Sequence, residues 1–299
     1  MEEYPVPSPR RSPGTAGGVS RTAIVTAQDR RIESMRPDAL FVDPTAGPMV
    51  AAAAARLDSD DPIAWVRGTT VLGELLPAMT GYLAVRTRLF DRALVEASRA
   101  GCRQVVQLGA GLDGRALRIP WPVDVRVFDL DDGGTTEFKQ TVLGALDRRP
   151  LSRHIMLASD LRGPWRSALL DAGFEPSVPT VWSMEGLLVY LDEDVGTSVV
   201  ETAADLSAPG SRLIVEHGYP AATTAGATSA GRAALAARGT RLGAAVAEPV
   251  TWLRRLGWNG TVLDVPAAAR ACGRRVPPAV DAAQPDGPLF WIATARRAL

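Results

Sequence analysis

Apolar and polar positions along this chain follow two periods. Short apolar runs that end in glycine or an acid alternate with stretches in which apolar residues recur three and four apart. The runs read as buried parallel strands and the stretches as helices. The clearest run, Val105-Val-Gln-Leu108, leads directly into Gly109, Gly111 and Gly114. A second, Val125-Arg-Val-Phe-Asp-Leu-Asp131, ends in acid, and further runs follow at 153–158, 180–184 and 211–216. Helical patterns lie between them at 111–117, 136–147, 165–172 and 193–206, the last opening after Asp192, a suitable N-cap. This alternation predicts an α/β fold, with a doubly wound, mostly parallel sheet and right-handed crossovers.

The flanks differ from this core. Residues 21–55 carry a helical pattern broken at Pro37 and at Asp43-Pro44, and 72–99 read as one or two helices broken at Pro77 and Gly81. Residues 21–100 are thus expected to form a helical N-terminal cover over the mouth of a site. Residues 1–20 hold Pro5, Pro7, Pro9 and Pro13 with Gly14, Gly17 and Gly18, which predicts a disordered or extended tail. After the core at 101–220, an Ala-, Thr- and Gly-rich segment predicts an insertion or lid over 221–248. The C-terminal part, 249–299, should add a helix at 249–256, a turn at Gly257-Trp258-Asn259-Gly260, and strands at 261–265 and 288–295. The last strand is expected to be antiparallel at the sheet edge. Residues 21–299 read as a single domain.

Composition narrows the class. With 46% hydrophobic and 22% charged residues in 299, the chain is an ordinary globular protein. Its formal net charge of zero supplies no field for nucleic acid or an anionic membrane. No stretch approaches the roughly 18 apolar residues of a membrane span, so the expectation is a cytoplasmic protein. The two cysteines, Cys102 and Cys272, lack metal-like spacing, and no metal is expected. Cys102, just before a buried strand, reads as a small apolar filler.

Gly109-x-Gly111-x-x-Gly114 has the form of a nucleotide-binding turn, and Asp131 follows Gly111 by 131 − 111 = 20 residues, the usual distance of a ribose-binding acid. The motif alone serves NAD, FAD and S-adenosylmethionine equally. Asp113 inside the turn would repel a pyrophosphate unless Arg115 neutralised it, whereas a sulfonium-bearing donor without phosphate tolerates an acid there. Gly114 favours the dinucleotide. An NAD(P)-dependent oxidoreductase and a non-catalytic S-adenosylmethionine-binding protein therefore stand beside the methyltransferase reading.

A set of blocks in fixed order carries a resemblance: Thr22-Ala, Arg36-Pro-Asp-Ala-Leu-Phe-Val-Asp-Pro44, Arg86-Thr-Arg-Leu-Phe-Asp91, Leu108-Gly-Ala-Gly-Leu-Asp-Gly-Arg115, Val127-Phe-Asp-Leu-Asp131 and Glu185-Gly-Leu-Leu-Val-Tyr-Leu191. In these the chain resembles the actinobacterial branch of the leucine carboxyl methyltransferase-like family, which has the Rossmann-like class I methyltransferase fold and uses S-adenosyl-L-methionine. The resemblance implies Arg86 on the donor's carboxylate, Gly109 and Gly111 under its methionine part, and Asp131 on the ribose with Asp129 in support. It also implies Asp160 and Leu161 beside the adenine, and Glu185 near the ammonium. Tyr190 would face the acceptor. O-methylation of a small molecule at a hydroxyl or carboxylate is the implied reaction, as in tailoring enzymes of secondary metabolism. Two departures stand out: Gly114 replaces a hydroxyl residue, and Asp132-Gly133 replaces a Gln-Pro pair, which is expected to loosen the loop beside the ribose.

Each residue also has a plainer reading. Arg86 has Asp91 as a possible surface partner, and Asp131 has an N-cap role open to it. Glu185 in an apolar run must meet a cation or polar ligand. Of the two histidines, His217 after the fifth strand sits at the carboxyl edge where ligands of such sheets bind, and is the choice for a general base. His154 opens the third strand at the other edge and reads as structural. A carboxylate acceptor would need no base, being ionised already.

Overall fold

The computed structural model describes residues 15–16, 18–57, 79, 81–220, 245–284 and 287–298. Its centre is a seven-stranded sheet. The first five strands of that sheet are β3 (Gln104–Leu108), β4 (Arg126–Asp131), β5 (Arg153–Ala158), β6 (Thr180–Met184) and β7 (Arg212–Gly218). With β8 (Trp258–Val262) and β9 (Phe290–Arg297) they take the order β5-β4-β3-β6-β7-β9-β8. All neighbours from β5 to β7 pair in parallel, and β9 pairs antiparallel with both β7 and β8. The doubly wound, mostly parallel sheet is thus present. Strand order reverses at β3, so the C-terminal ends of β3, β4 and β6 face one crevice, the place for a ligand in such sheets.

Successive residues of each strand enter different cores, as a period of two requires. Val105, Val127, Val181 and Ile214 join one cluster with the N-terminal helices, while Val106, Phe128, Trp182 and Leu213 join another beneath the opposite face. Because β3, β4, β6 and β7 are buried on both faces they show apolar runs and not alternation. Cys102 is fully buried, as a filler should be. No helix among the described residues is long and apolar enough to cross a membrane.

The helices are α1 (Arg21–Ser34), α2 (Ala46–Arg56), α3 (Tyr82–Arg99), α4 (Arg115–Arg118), α5 (Gly133–Gly144), α6 (Trp165–Asp171), α7 (Glu193–Asp205), α8 (Pro249–Arg255) and α9 (Val265–Ala271), with 3-10 turns at Leu188–Tyr190 and Pro278–Val280. Pro37 and Asp43-Pro44 fall between α1 and α2, where the pattern broke. The expected helical stretch ahead of Tyr82 and most of the expected 221–248 insertion lie outside the described residues.

Several boundaries differ from expectation, each for a local reason. The tail does not run extended to residue 20: β1 (Thr15–Ala16) and β2 (Val19–Ser20) pair as a small hairpin, Val19 is buried, and the Ser20 side chain caps α1. The first core helix is not a long one from 111. Asp113 and the glycines hold the chain in a turn until α4, only four residues long. Helix α5 starts earlier than 136, because the Asp132 carboxylate accepts from Gly134 N at 3.0 Å and Thr135 N at 3.1 Å. The Asp132-Gly133 pair therefore closes the loop beside Asp131 instead of loosening it. Trp258-Asn259-Gly260 belongs to β8, not to a turn, and Asp264 with Pro266 starts α9 where a strand was expected. Finally, β9 lies between β7 and β8, and β8 forms the edge.

Candidate functional site

The glycine turn joins β3 to α4. Gly109 and Gly111 both adopt left-handed backbone, with φ of 66° and 50°, and a Cβ on Gly109 would come within 2.8 Å of Leu187 Cδ1. The turn is tied to the next strand at its tip: Asp131 Oδ2 accepts from Gly111 N at 2.6 Å and Oδ1 from Asp132 N at 2.8 Å. A carboxylate has about four lone-pair sites. Asp131 thus keeps acceptor capacity on both oxygens for a diol. Burial, with Asp132 adding to it, pushes its carboxyl up to about 7 against the Gly111 N–H.

A second centre forms around Arg86, buried on α3. Its Nε donates to Glu185 Oε1 at 3.0 Å and its Nη1 to Glu216 Oε2 at 2.9 Å. Glu216 also accepts from the Tyr82 hydroxyl and, at 2.7 Å, from Gly186 N. Burial opposes the guanidinium charge, but Glu216 and Glu185 outweigh it and its pKa is raised. Arg86 Nη2 makes no hydrogen bond to the described residues. Asp91, the plain partner suggested for Arg86, belongs elsewhere.

That elsewhere is a buried ion network linking the cover to the glycine turn. Arg115 donates from Nε to Asp91 Oδ1 at 2.6 Å and from Nη1 to Asp113 Oδ2 and Glu185 Oε2, each at 2.7 Å. Arg118 forms a two-pronged contact with Asp91, at 2.6 and 2.7 Å. Arg30 of α1 reaches Asp43 Oδ2 at 2.9 Å and the Leu112 carbonyl at 2.6 Å. Burial alone would raise the Asp113 carboxyl, yet Arg115 holds it below its usual range. Of the two alternatives left open for Asp113, the structure shows neutralisation by Arg115: the acid is turned inward, and its charge says nothing about the cargo.

Gly114 has an equally internal reason. A Cβ there would collide with Thr45 Oγ1 and come within 2.9 Å of Asp43 Oδ1. Thr45 donates to that Asp43 oxygen at 2.7 Å, so the cover loop supplies the hydroxyl that Gly114 lacks. The third glycine marks close packing of the leader on the turn, not a pyrophosphate seat.

The remaining expected site residues separate. Asp129 is not presented to the crevice: it is buried, with Oδ1 accepting from Gln107 Nε2 at 2.6 Å and Oδ2 from Lys139 Nζ and His154 Nε2 at 2.7 Å. His154 is structural as read. Asp160 is exposed after β5 and closes its own turn on Arg162 N at 2.9 Å, while Leu161 is partly buried on the second core. Tyr190 sits in the 3-10 turn after Glu185, partly buried, its hydroxyl pKa raised by burial. His217 is not brought to Arg86. Glu216 points from β7 toward α3, so His217 points to the other face, between Trp252 and Trp291. Its Nδ1 accepts from Gly218 N at 2.8 Å, and burial lowers its pKa to about 4.

Sequence reasoning missed Glu216, Tyr82 and Asp29. Glu216 had a visible signal, an acid closing the apolar run Leu213-Ile-Val215. Tyr82 and Asp29 had none, since each matters only through what the fold places beside it. Asp29 Oδ2 on α1 is buried and has no hydrogen-bond partner. Among the described residues no group of three or more His, Cys, Asp and Glu is arranged to hold a metal ion.

Solved structures that share this fold include a DUF574 family protein from Streptomyces avermitilis (TM-score 0.58, 18% identity, covering 91% of this chain and 97% of that one) and a protein from Thermobifida fusca described as a methyltransferase (TM-score 0.57, 16% identity, covering 97% of each). Sequence relatives are nearer. A Parafrankia protein, assigned by its name to the S-adenosyl-L-methionine-dependent methyltransferases, is 39% identical over 289 residues, 95% of this chain and 89% of the relative. A Mycobacteroides abscessus protein with the same kind of name is 35% identical over 276 residues, 88% of this chain and 90% of its own. The model of the leucine carboxyl methyltransferase family matches residues 23–204. The chain belongs to that family and is an S-adenosyl-L-methionine-dependent methyltransferase of class I fold.

Proposed function

We propose that this methyltransferase esterifies a carboxylate of a small molecule, of the kind that tailoring enzymes modify. The observation that carries this reading is the orientation of His217, the histidine best placed in sequence to act as a base. Its ring is packed between two tryptophans on the face of β7 opposite Arg86, and the burial that lowers its pKa to about 4 leaves it a weak base. A hydroxyl acceptor must lose a proton to react, whereas a carboxylate arrives ionised. The description of the family, leucine carboxyl methyltransferase, supports the same acceptor group.

The residues present fit the donor. Arg86 offers Nη2 for a carboxylate, and a guanidinium stays charged at any working pH. Asp131 retains two acceptor positions for the ribose hydroxyls. A Cβ on Gly109 would press on Leu187 and one on Gly111 on Ala23, so the glycines keep the turn open. When bound, the donor supplies an electrophilic methyl group on a sulfonium. The chain's own part is alignment and exclusion of water: α1 and the 43–45 loop close over the turn, and the buried network holds Arg115 and Glu185 in place. Such positioning is the larger share of catalysis when no proton has to move. Asp160 and Leu161 stay assigned to the adenine end, beside the crevice at the tip of β5, and Tyr190 to the acceptor side.

The test is chemical. Purified protein is incubated with methyl-labelled donor and a mixed panel of small carboxylic acids, phenols and alcohols, and the labelled product is treated with base. Methyl esters release labelled methanol, as this reading requires. Label that survives in an ether would overturn the carboxylate assignment.

A further inference from the structure

Glu216 lies near the C-terminal end of β7 and shares a face of that strand with Ile214, toward the leader helices. Its buried carboxylate is fully used. Oε2 accepts from Arg86 Nη1 at 2.9 Å and from Gly186 N at 2.7 Å, and Oε1 accepts from the Tyr82 hydroxyl and from Arg86 Nη1 at 3.3 Å. A carboxylate has about four lone-pair sites, so Glu216 is saturated. Glu185 and Asp131 each meet fewer donors and keep room for a ligand. Glu216 can therefore act on a ligand only through the groups it holds.

Those groups converge on the guanidinium of Arg86. Tyr82 and Arg86 are one helical turn apart and so share a face of α3. The Tyr82 ring stacks on Phe290 of β9 at 5.5 Å, and its hydroxyl, kept protonated by burial and by the Glu216 charge, serves as a donor. On the other side Gly186 follows Glu185 with φ of 62°, and a Cβ there would stand 3.2 Å from Arg86 Nη1. The guanidinium is thus seated against the backbone just after β6. Its Nε contact with Glu185, alone, would let it turn about that bond. The second contact, from Nη1 to Glu216, fixes the plane and with it the direction of Nη2.

We infer that Glu216 is a positioning residue for the methyl donor: it aims Arg86 so that Nη2 meets the donor's carboxylate, and it locks the Glu185-Gly186 turn to the same point. This rests on the reading above, in which Arg86 takes that carboxylate. A fork that is already aimed loses less freedom when the ligand binds. The role depends on the length of the side chain more than on its charge. A carboxylate one methylene shorter is drawn back by about 1.5 Å. It then falls short of partners now at 2.7 and 2.9 Å, while the charge beside Arg86 is kept. A glutamine keeps the length and an oxygen for Arg86 and Gly186, and its amide nitrogen can donate to the Tyr82 oxygen.

The experiment is calorimetric titration of the full chain with S-adenosylhomocysteine and with its decarboxylated analogue, which keeps the amine and lacks only the group that Arg86 would hold. The wild type should prefer the carboxylate-bearing ligand by about tenfold or more, the range of a hydrogen bond to a charged group. Glu216→Asp should lose most of that preference with its affinity for the analogue unchanged, and Glu216→Gln should keep the larger part of it. A role in charge balance would reverse the order of the two variants, and a role in folding alone would weaken both ligands alike. Either result would overturn the inference, as would a full preference retained in Glu216→Asp. If Glu216→Asp does not fold, Tyr82→Phe is read by the same comparison. Loss of its contact on Oε1 should lower the preference about threefold, and an unchanged preference there would overturn the role. A wild type that binds both ligands equally would take the carboxylate away from Arg86, and one that binds no S-adenosylhomocysteine would remove the donor site itself; the role of Glu216 falls with either.

Discussion

At the scale of single residues, the site depends on which groups are already satisfied. Gly114 is held between Thr45 and Asp43, so a larger residue there overfills a buried seam. Gly114→Thr should lower stability by about 1–3 kcal/mol, the usual range for overpacking, measured by urea unfolding, and Thr45→Gly in the same chain should recover part of it. Asp29 gives a signature in pH. Its folded pKa of about 6 lies above the unfolded value. Its destabilising effect is therefore absent below roughly pH 4 and grows as pH rises through 6. Melting of Asp29→Asn should match the wild type near pH 4 and exceed it above pH 6; a constant offset across that range would contradict the reading. The residue types were legible in sequence, but their allegiances were not. Arg115 was visible as a possible partner of Asp113, but the burial that commits the two to each other and to Asp91 and Glu185 leaves no periodic trace.

At the scale of elements, the parallel strands were readable because each is an apolar run closed by glycine or acid. The C-terminal part was less so. Trp258-Asn-Gly looks like a turn by composition, yet Trp258 is fully buried and its strand pairs with β9. The Asp264 cap with Pro266 is a legible start signal for α9 inside what reads as a strand by its apolar residues. Helix α5 shows what an element needs beyond its pattern. Of 33 basic residues in the chain, Lys139 is the only lysine, and it is buried against Asp129 between β4 and β5. Burial would raise the Asp129 carboxyl, but Lys139 and His154 hold it well below the usual range. That contribution is present at neutral pH and lost only as pH falls below about 4. Lys139→Met strips Asp129 of its permanent cation and should cost about 3 kcal/mol in chemical denaturation. Because Lys139 is shielded, acetylation of its side chain by an amine reagent should appear only as the chain unfolds, followed by mass spectrometry of the peptide that carries it. Ready labelling in the native state would show that the cluster is open.

At the scale of the whole molecule, the cover and the sheet make one site. The alternation of strands and helices announced a doubly wound sheet, and the glycines after β3 with Asp131 at the tip of β4 marked its ligand edge; the reversal of strand order at β3 belongs to the fold alone. The dependence of the crevice on α1, α3 and the 43–45 loop was not legible, because it runs through arginines that read as surface residues in sequence. Arg30, Arg86, Arg115 and Arg118 are buried or nearly so in their side chains. Arg30, Arg115 and Arg118 bind the leader to the glycine turn, and Arg86 binds it to Glu185 and Glu216. The central claim is that Arg86 and Asp131 together hold S-adenosylmethionine. Calorimetric titration of the wild type, Arg86→Lys and Asp131→Asn with S-adenosylmethionine, and of the wild type with NADH, tests it most directly. Lysine preserves the charge among Glu185 and Glu216 but loses the fork. The account predicts one donor bound per wild-type chain, no binding of NADH, and affinity about tenfold or more weaker in each folded variant; donor affinity unchanged in both variants, or binding of NADH in place of the donor, would contradict it.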